Sequence, residues 1–234
     1  MNLKYLRNGK EHILYDADTP DQVDGAFFEP EVWQRRNDLI GTAQGRGAAM
    51  FVRGDGGEYV LRHYRRGGAP AKISHDCYFW FGLGRTRAWR EWHLLVTLHR
   101  RALPAPRPVA VRVVRGGLCY RADIVTARIP GCSLGQLLRH EEVSPETWRA
   151  VGLCIRRFHD AGVYHADLNA NNILVGESGE VFLVDFDRGR FRPSGGWQQG
   201  NLERLQRSLR KLSNLDVRFT YSECDWEHLL VGYR

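Results

Sequence analysis

Three oxygen-bearing side chains lie at the ends of two apolar runs in the second half of the sequence. The stretch "HADLNANNIL" places Asp167 and Asn172 five residues apart, just before the first run, and "VFLVDFD" brings Asp185 to the end of the second. If the second run returns beside the first, the three side chains converge on one cleft. Carboxylate and amide oxygens are hard ligands that suit Mg²⁺, and a carboxylate can orient an attacking hydroxyl. The pattern suits phosphoryl transfer, and the alternative is that the polar stretch is only a turn that leads into a hairpin.

Helices are predicted on both sides of this stretch. "SPETWRAVGLCIRRFHDAG" has Ser144 at the N-cap, Pro145 at the first helical position and Gly162 past its end. Leucines recur at helical spacing between residues 202 and 215. The first half is predicted to form short strands joined by glycine-rich turns, with one helix from Arg85 to about Leu103. This order predicts an α+β protein with two lobes, residues 1–129 and 130–234.

The composition of the 234-residue chain indicates a globular protein with a basic surface. Its formal net charge is +7, which favours anionic partners such as nucleotides or anionic lipid. Five cysteines, none in a C-x-x-C pair, argue against a disulfide framework and against a zinc site. No stretch has the composition of a signal peptide or a membrane span, so we expect a protein of the cytoplasmic side without a transmembrane segment. No nucleic-acid-binding motif appears, so no such partner is expected, and nothing in the sequence indicates an oligomeric state.

Two of these stretches resemble the motifs of protein kinases. "HADLNANNIL" is similar to the catalytic loop H-R-D-L-x-x-x-N, and "DFD" is similar to D-F-G with its glycine replaced by an aspartate. The resemblance implies that Asp167 is the catalytic base, that Asn172 and Asp185 are Mg²⁺ ligands, and that His165 has a structural role. Protein kinases usually carry a lysine two residues after the base, where this chain has Asn169. That departure favours a kinase of small molecules or sugars.

The same resemblance implies a nucleotide clamp in the first lobe. "GRGAAMFV" matches the kinase glycine-rich loop at Gly45 and Gly47, and the strand "EYVLRHY" places Arg62 where kinases have lysine. A guanidinium can hold phosphate oxygens with a forked grip, although arginine and lysine are not interchangeable there. Lys72 is the alternative cation, and Glu91 in the predicted helix is the expected ion-pair partner of the strand cation.

The connection between the lobes is predicted from the stretch "TARIPGCSL". In the kinase alignment Thr126 takes the gatekeeper-like position, and the backbones of Ala127 and Ile129 are expected to face adenine. Backbone contacts leave no side-chain signature, so this expectation rests on the alignment alone. The implied architecture is a two-lobed protein-kinase-like fold with a small β-rich N-lobe, one long helix, and a reduced, mainly helical C-lobe.

Four stretches together resemble the bacterial lipopolysaccharide-core kinases, most closely the 3-deoxy-D-manno-octulosonic acid (Kdo) kinases: "VLRHYRRGG", "LPAPRPVA", "HADLNANNIL" and "WQQGNLERLQRSLRKL". The resemblance implies transfer of the ATP γ-phosphate, with Mg²⁺, to the 4-hydroxyl of Kdo on a lipid A precursor. It also implies a peripheral location at the cytoplasmic face of the inner membrane. Two alternatives remain open: a related kinase for heptose, another small molecule or a protein serine, and a pseudokinase scaffold that binds lipopolysaccharide precursors.

Two further stretches could contact the lipid-linked acceptor and the anionic membrane surface. "HYRRGGAPAK" is basic, and "CYFWFG" is a cluster of aromatic residues that contains Phe79, Trp80 and Phe81. Since aromatic side chains are usually buried, the first interpretation of this cluster is that it belongs to the core. The alternative is that it faces the membrane interface.

Overall fold

The structure is a computed structural model that describes residues 1–42, 49–65 and 76–234. Contacts between Cα atoms divide the chain into two units. The first contains residues 1–96 and 107–128, and the second contains residues 97–106 and 129–234. Because these units are defined by contacts alone, the functional boundary between residues 129 and 130 stays a prediction.

The first unit is built on an antiparallel sheet in which seven strands follow the order β1-β2-β7-β8-β5-β4-β3, while β6 pairs with β8. The strands are β1 (Leu3–Asn8), β2 (Glu11–Asp16), β3 (Leu39–Thr42), β4 (Met50–Gly54), β5 (Gly57–His63), β6 (Tyr78–Phe79), β7 (Pro108–Gly116) and β8 (Cys119–Ala127). Side chains alternate between the two faces of a strand. In β5 this alternation buries Tyr59 and Leu61 in one hydrophobic cluster and directs Arg62 to the opposite face.

Among the residues that the structure describes, this part of the chain contains helix α1 (Pro30–Arg35) and most of helix α2 (Arg87–Arg100), whose last residues belong to the second unit. Trp33 of α1 is buried in the hydrophobic cluster, and its indole N–H donates to the Phe27 carbonyl at 2.8 Å. In α2, four apolar residues recur at steps of three and four positions and are all buried: Ala88, Trp92, Leu95 and Leu98. The helix predicted from their spacing is therefore confirmed.

The second unit is mainly helical. Its helices are α3 (Leu134–His140), α4 (Pro145–Asp160), α5 (Trp197–Leu215) and α6 (Glu223–Tyr233). Short strands complete the unit: β9 (Cys132–Ser133), β10 (Val163–Tyr164), β11 (Ile173–Val175), β12 (Val181–Leu183) and β13 (Arg190–Phe191). They form a three-stranded sheet in the order β12-β11-β9 and a two-stranded pair, β10 with β13. The predicted α+β, kinase-like fold class is confirmed.

Helix α4 begins and ends where the sequence predicts. The Ser144 hydroxyl caps it by accepting from the Thr147 N–H at 3.2 Å, Pro145 is its first residue, and Gly162 follows its end with a φ of +72°. Helix α6 packs closely on α4, because each helix offers a glycine at the contact. A Cβ added at Gly152 would overlap the Leu229 carbonyl, and one added at Gly232 would overlap the Arg149 carbonyl.

The structure differs from the expectation that the five cysteines form no disulfide framework, and the expectation that the aromatic residues of "CYFWFG" belong to the core is wrong. Cys77 and Cys119 form a disulfide with a Cα–Cα distance of 5.7 Å, because the pairing of β6 with β8 brings these cysteines together. Phe79 and Phe81 do not belong to the core, since 67% and 71% of each residue is exposed. In the part of the chain that the structure describes, no helix combines the length and hydropathy needed to cross a membrane.

Candidate active site

A β-hairpin holds two of the predicted site residues at one end. Strands β11 and β12 pair antiparallel, with Ile173 opposite Leu183. The ladder continues beyond the strands, because the Val184 N–H donates to the Asn172 carbonyl at 3.0 Å. Asn172 therefore enters the hairpin at the same end where Asp185 leaves it. This arrangement follows from the two apolar runs that the sequence places on either side of a glycine-containing turn.

His165 connects the loop that carries Asp167 to the segment that carries Asp185. Its ring is buried, its Nδ1 accepts from the Asp167 N–H at 3.2 Å, and its Nε2 lies 2.9 Å from the Val184 carbonyl. These partners assign the proton to Nε2, which donates to Val184. Burial lowers the pKa of His165, so the neutral ring that this geometry needs is also the form that the environment favours. The predicted structural role of His165 rests on these contacts.

The backbone at Asp167 is held from two sides, while its carboxylate is open to solvent. The side-chain amides of Asn169 and Asn172 each donate to the Asp167 carbonyl at 2.9 Å. The Asp167 side chain is 64% exposed, and its Oδ1 lies 3.5 Å from a guanidinium nitrogen of Arg204. An exposed carboxylate on a fixed backbone can accept a hydrogen bond from an incoming hydroxyl group.

Asp185 has a backbone conformation that L-residues seldom adopt. Its φ is +63°, in the left-handed region that non-glycine residues enter at a cost of about 1–2 kcal/mol. The segment after it is anchored, since Phe186 is fully buried and packs on Phe158 with ring centroids 5.5 Å apart. Val184 on the other side makes the two hydrogen bonds described above. Strain that is held by its surroundings in this way is common at functional sites.

Asn201 on α5 is a site residue that the sequence analysis missed. The residue is buried, its Oδ1 accepts from the His165 N–H at 3.3 Å, and its Nδ2 donates to the His165 carbonyl at 2.9 Å. The stretch "WQQGNLERL" contributes to the family resemblance, but the spacing of its residues gives no role to this asparagine. A polar residue among the buried leucines of α5 is the signal that could have indicated it.

In the first unit, Arg62 and Glu91 form the ion pair that the sequence predicts. The Arg62 guanidinium contacts the Glu91 carboxylate, whose side chain is buried between strand β5 and helix α2. Tyr64, which the sequence analysis did not include, donates its hydroxyl to the same carboxylate, and Arg62 also lies over the Tyr64 ring at 5.0 Å. Arginine therefore occupies the strand position expected for a cation and has a matched acidic partner.

The other predicted nucleotide contacts have different outcomes. Gly45, Gly47 and Lys72 lie outside the described residues. Ala127 ends β8, and its N–H already donates to the Arg107 carbonyl at 2.8 Å. Ile129 follows two residues later and is half-buried. The contacts of Ala127 and Ile129 with adenine stay a prediction.

The side chains at the end of the hairpin that could hold a metal ion offer oxygen atoms, which suit a magnesium ion. No group of three or more His, Cys, Asp or Glu suited to a metal occurs in residues 1–42, 49–65 and 76–234. Asn172 uses its amide nitrogen on Asp167, which leaves its oxygen for a ligand, and Asp185 adds a carboxylate. Mg²⁺ takes few protein oxygens because it keeps waters and substrate phosphates as its other ligands.

Three features together define a protein-kinase-like phosphotransferase. They are a strand cation paired with a helix glutamate, an H-x-D loop, and a D-F segment on the next hairpin. Comparison with known proteins narrows this class. Residues 30–233 match the model of the lipopolysaccharide kinase (Kdo/WaaP) family. The chain belongs to this family.

Curated relatives agree with this assignment over most of the chain. A 3-deoxy-D-manno-octulosonic acid kinase of Actinobacillus succinogenes is 42% identical and covers 98% of both chains. The protein of the same name from Xanthomonas axonopodis pv. citri is 45% identical over 86% of this chain and 80% of its own. That of Haemophilus influenzae is 36% identical over 99% of both. The resemblance inferred from the four sequence stretches is confirmed, and so is the enzyme class.

Proposed function

We propose that the protein transfers the γ-phosphate of ATP to the 4-hydroxyl of a Kdo sugar on a lipid A precursor. The observation that carries the proposal is the frame around His165, which fixes Asp167, Asn172 and Asp185 within one unit. Membership of the lipopolysaccharide kinase family supports the sugar acceptor, and the relatives named as Kdo kinases support the choice of Kdo.

Asp167 is the proposed catalytic base. The transition state of phosphoryl transfer is loose, so the main tasks of the protein are to position the reactants and to stabilise negative charge. A carboxylate that is exposed, on a backbone held by His165, Asn169 and Asn172, suits the first task. It would accept the hydrogen bond of the sugar hydroxyl and take its proton as the hydroxyl oxygen bonds to the γ-phosphorus and the bond from that phosphorus to the departing ADP oxygen breaks.

Asn172 and Asp185 are the residues that would hold Mg²⁺. When bound, the ion would offset the negative charge of the phosphates. Arg62 would hold the α- and β-phosphates, with Glu91 and Tyr64 fixing its guanidinium. Gly45 and Gly47 are proposed to cover the phosphates, and Ala127 and Ile129 to contact adenine through their backbones.

The two alternatives have less support. A pseudokinase scaffold needs no base and no metal ligands, yet Asp167, Asn172 and Asp185 are all present and their surroundings hold them. A kinase for heptose, another small molecule or a protein serine uses the same chemistry, so only the acceptor distinguishes it. The curated relatives named as Kdo kinases favour Kdo.

A phosphotransfer assay with a Kdo-bearing lipid A precursor tests the proposal. Labelled phosphate from ATP should appear on the lipid with Mg²⁺ and not with EDTA, and a precursor that lacks Kdo should remain unlabelled. Asp167→Ala should lower transfer by at least about a hundredfold, in the range of general-base removal, with an unchanged melting temperature. Labelling of heptose or protein instead of Kdo, or normal transfer by Asp167→Ala, would contradict the proposal.

We further propose that the first unit binds the anionic surface of the inner membrane through an apolar tip formed by Phe79, Phe81 and Leu118. The three residues are 67%, 71% and 86% exposed. They lie together because β6 pairs with β8 and the Trp80 N–H donates to the Leu118 carbonyl at 2.9 Å. The exposed Arg115 lies over the Trp80 ring at 5.3 Å. Aromatic side chains beside a cation suit the interface of an anionic bilayer.

Co-sedimentation with vesicles tests this location. The double variant Phe79→Ser/Phe81→Ser should weaken binding to phosphatidylglycerol-rich vesicles by at least about tenfold, because inserting each phenylalanine is worth roughly 1.5–3 kcal/mol. Leu215→Ser/Val217→Ser removes two exposed apolar residues of the second unit and is the matched control. Equal binding to neutral vesicles, or an equal loss in the control, would argue against the apolar tip.

A further inference from the structure

Helix α5 lies along the loop that carries Asp167, and side chains one helical turn apart contact successive residues of this loop. Trp197 meets the Tyr164 ring edge-on at 5.9 Å, Asn201 holds the His165 backbone, and a guanidinium nitrogen of Arg204 lies 3.5 Å from the Asp167 carboxylate. Positions 197, 201 and 204 follow one another at helical spacing, so they share one face of α5. The side chains of this face reach successive parts of the loop, and Arg204 is the one that reaches the proposed base.

The Arg204 guanidinium has more N–H donors than its ion pair with Asp167 uses. Its side chain is 46% exposed, and among the described residues its ion pair is with Asp167 Oδ1, through a single nitrogen at 3.5 Å. A guanidinium carries five N–H donors in a rigid fork that matches carboxylate and phosphate oxygens. An arginine that served only to hold Asp167 would make a closer, two-pronged contact. The partly exposed guanidinium therefore has donors beyond this contact, beside the carboxylate of the proposed base.

The loop itself provides no cation near Asp167. Asn169 is neutral, and both ends of its amide are engaged, since Nδ2 donates to the Asp167 carbonyl and Oδ1 accepts from the Asn171 N–H at 2.9 Å. Phosphoryl transfer spreads negative charge over the equatorial oxygens of the moving group, and a positioned cation stabilises that charge. In this unit, α5 supplies such a cation where the loop does not.

We propose that Arg204 binds an anionic oxygen group of the substrates next to the hydroxyl that Asp167 orients. The inference rests on the proposed function. Two groups have this chemistry: the transferred phosphoryl group, and the carboxylate of the acceptor sugar. Binding either one draws Arg204 away from its long contact with Asp167, so the base is released as the substrate is engaged.

Steady-state kinetics with ATP and a Kdo-bearing lipid A precursor tests the proposal. Arg204→Gln should lower kcat/KM roughly ten- to hundredfold, the range for a lost charge-assisted hydrogen bond, and Arg204→Lys should restore part of the loss. The control is Arg207→Gln on the same helix, since Arg207 pairs only loosely with Glu203, at 3.9 Å. It should stay within about twofold of wild type, because it removes an equal charge without a contact to the loop.

Two arms identify the anion. If Arg204 binds the sugar carboxylate, Arg204→Gln raises KM for the lipid, leaves ATP hydrolysis to water unchanged, and has no effect on an acceptor whose carboxylate is reduced to an alcohol. If it binds the transferred phosphoryl group, kcat falls for both transfer and hydrolysis. A change of less than twofold in every parameter, or an equal loss in Arg207→Gln, overturns the inference.

The outcome is separable from the proposed function. If the wild type does not phosphorylate the Kdo lipid, the proposed acceptor is wrong whatever Arg204 does. The rate of ATP hydrolysis then shows whether Arg204 contacts the phosphoryl group. Slower hydrolysis by Arg204→Gln still supports this contact, and unchanged hydrolysis rejects it.

Discussion

Replacing Asn201 by alanine should destabilise the protein and slow catalysis together. The substitution removes both hydrogen bonds to the His165 backbone, one at 2.9 Å and one at 3.3 Å, and both residues are buried. A buried polar group left without its partner costs about 1–3 kcal/mol. Because the second bond is long, we expect a total loss of about 2–4 kcal/mol in the free energy of unfolding.

Urea unfolding followed by tryptophan fluorescence measures this loss, and the phosphotransfer assay measures its catalytic consequence. Asp167 follows His165 by two residues, so a displaced loop should lower kcat more than it changes KM for ATP. The effect on kcat should persist at a temperature where the variant is still fully folded. That condition separates a displaced base from a smaller folded fraction.

Gln199→Ala is the matched control, because it removes another carboxamide from α5. Gln199 is exposed and, within the described part of the chain, its side-chain amide donates to Glu203 at 3.2 Å, so its loss should change stability by less than about 0.5 kcal/mol. If Asn201→Ala costs no more than this control, or if its kcat is unchanged, the view that α5 fixes the catalytic loop is wrong.

Two other predictions concern the second unit. Gly152→Ala should lower stability by about 1–3 kcal/mol in thermal unfolding, since the added Cβ would overlap the Leu229 carbonyl. Gly200→Ala should instead raise stability by up to about 1 kcal/mol, because nothing lies within 4 Å of its added Cβ. Burial lowers the pKa of His159 to about 4, so the unfolded chain takes up this proton first as the pH falls below 6.5, and stability is lost through that window. Between pH 7.5 and 5, wild type should lose about 2 kcal/mol more than His159→Gln in urea titrations; equal losses would exclude this origin.

Much of the fold follows from local sequence patterns. The apolar stripe of α2, the caps of α4 and the alternation in β5 each produce the element that their spacing predicts. The sequence analysis did not predict the N-terminal hairpin of β1 and β2 or the C-terminal helix α6. Helix α6 depends on the glycine contact with α4, and such a contact between distant segments leaves no periodic signal.

The candidate site was predictable to a different degree in each of its parts. Asp167, Asn172 and Asp185 follow from a motif, because their spacing along the chain determines which end of the hairpin they reach. Asn201, Arg204 and Tyr64 contact His165, Asp167 and Glu91, which are remote from them in sequence. Only the polar position of Asn201 among the buried leucines of α5 is a local signal, and the spacing of Arg204 and Tyr64 indicates no role. The prediction that the aromatic stretch "CYFWFG" is buried was wrong for a related reason. Aromatic residues are usually buried, and the exposure of Phe79 depends on the pairing of β6 with β8, which local sequence does not indicate.

In the second unit, the backbone at Asp167 is held more firmly than its side chain. His165, Asn169 and Asn172 hold the backbone with hydrogen bonds of 2.9 to 3.2 Å. Among residues 1–42, 49–65 and 76–234, the ion-pair partner of the carboxylate is Arg204, at 3.5 Å. The proposed base must meet a hydroxyl on a bulky lipid, so it needs an accessible carboxylate, and it gains rate only if that carboxylate needs little reorganisation. A fixed backbone with a loosely restrained side chain meets both needs. Substitutions that loosen the backbone should therefore lower kcat, whereas those at Arg204 should act through the anion that it binds.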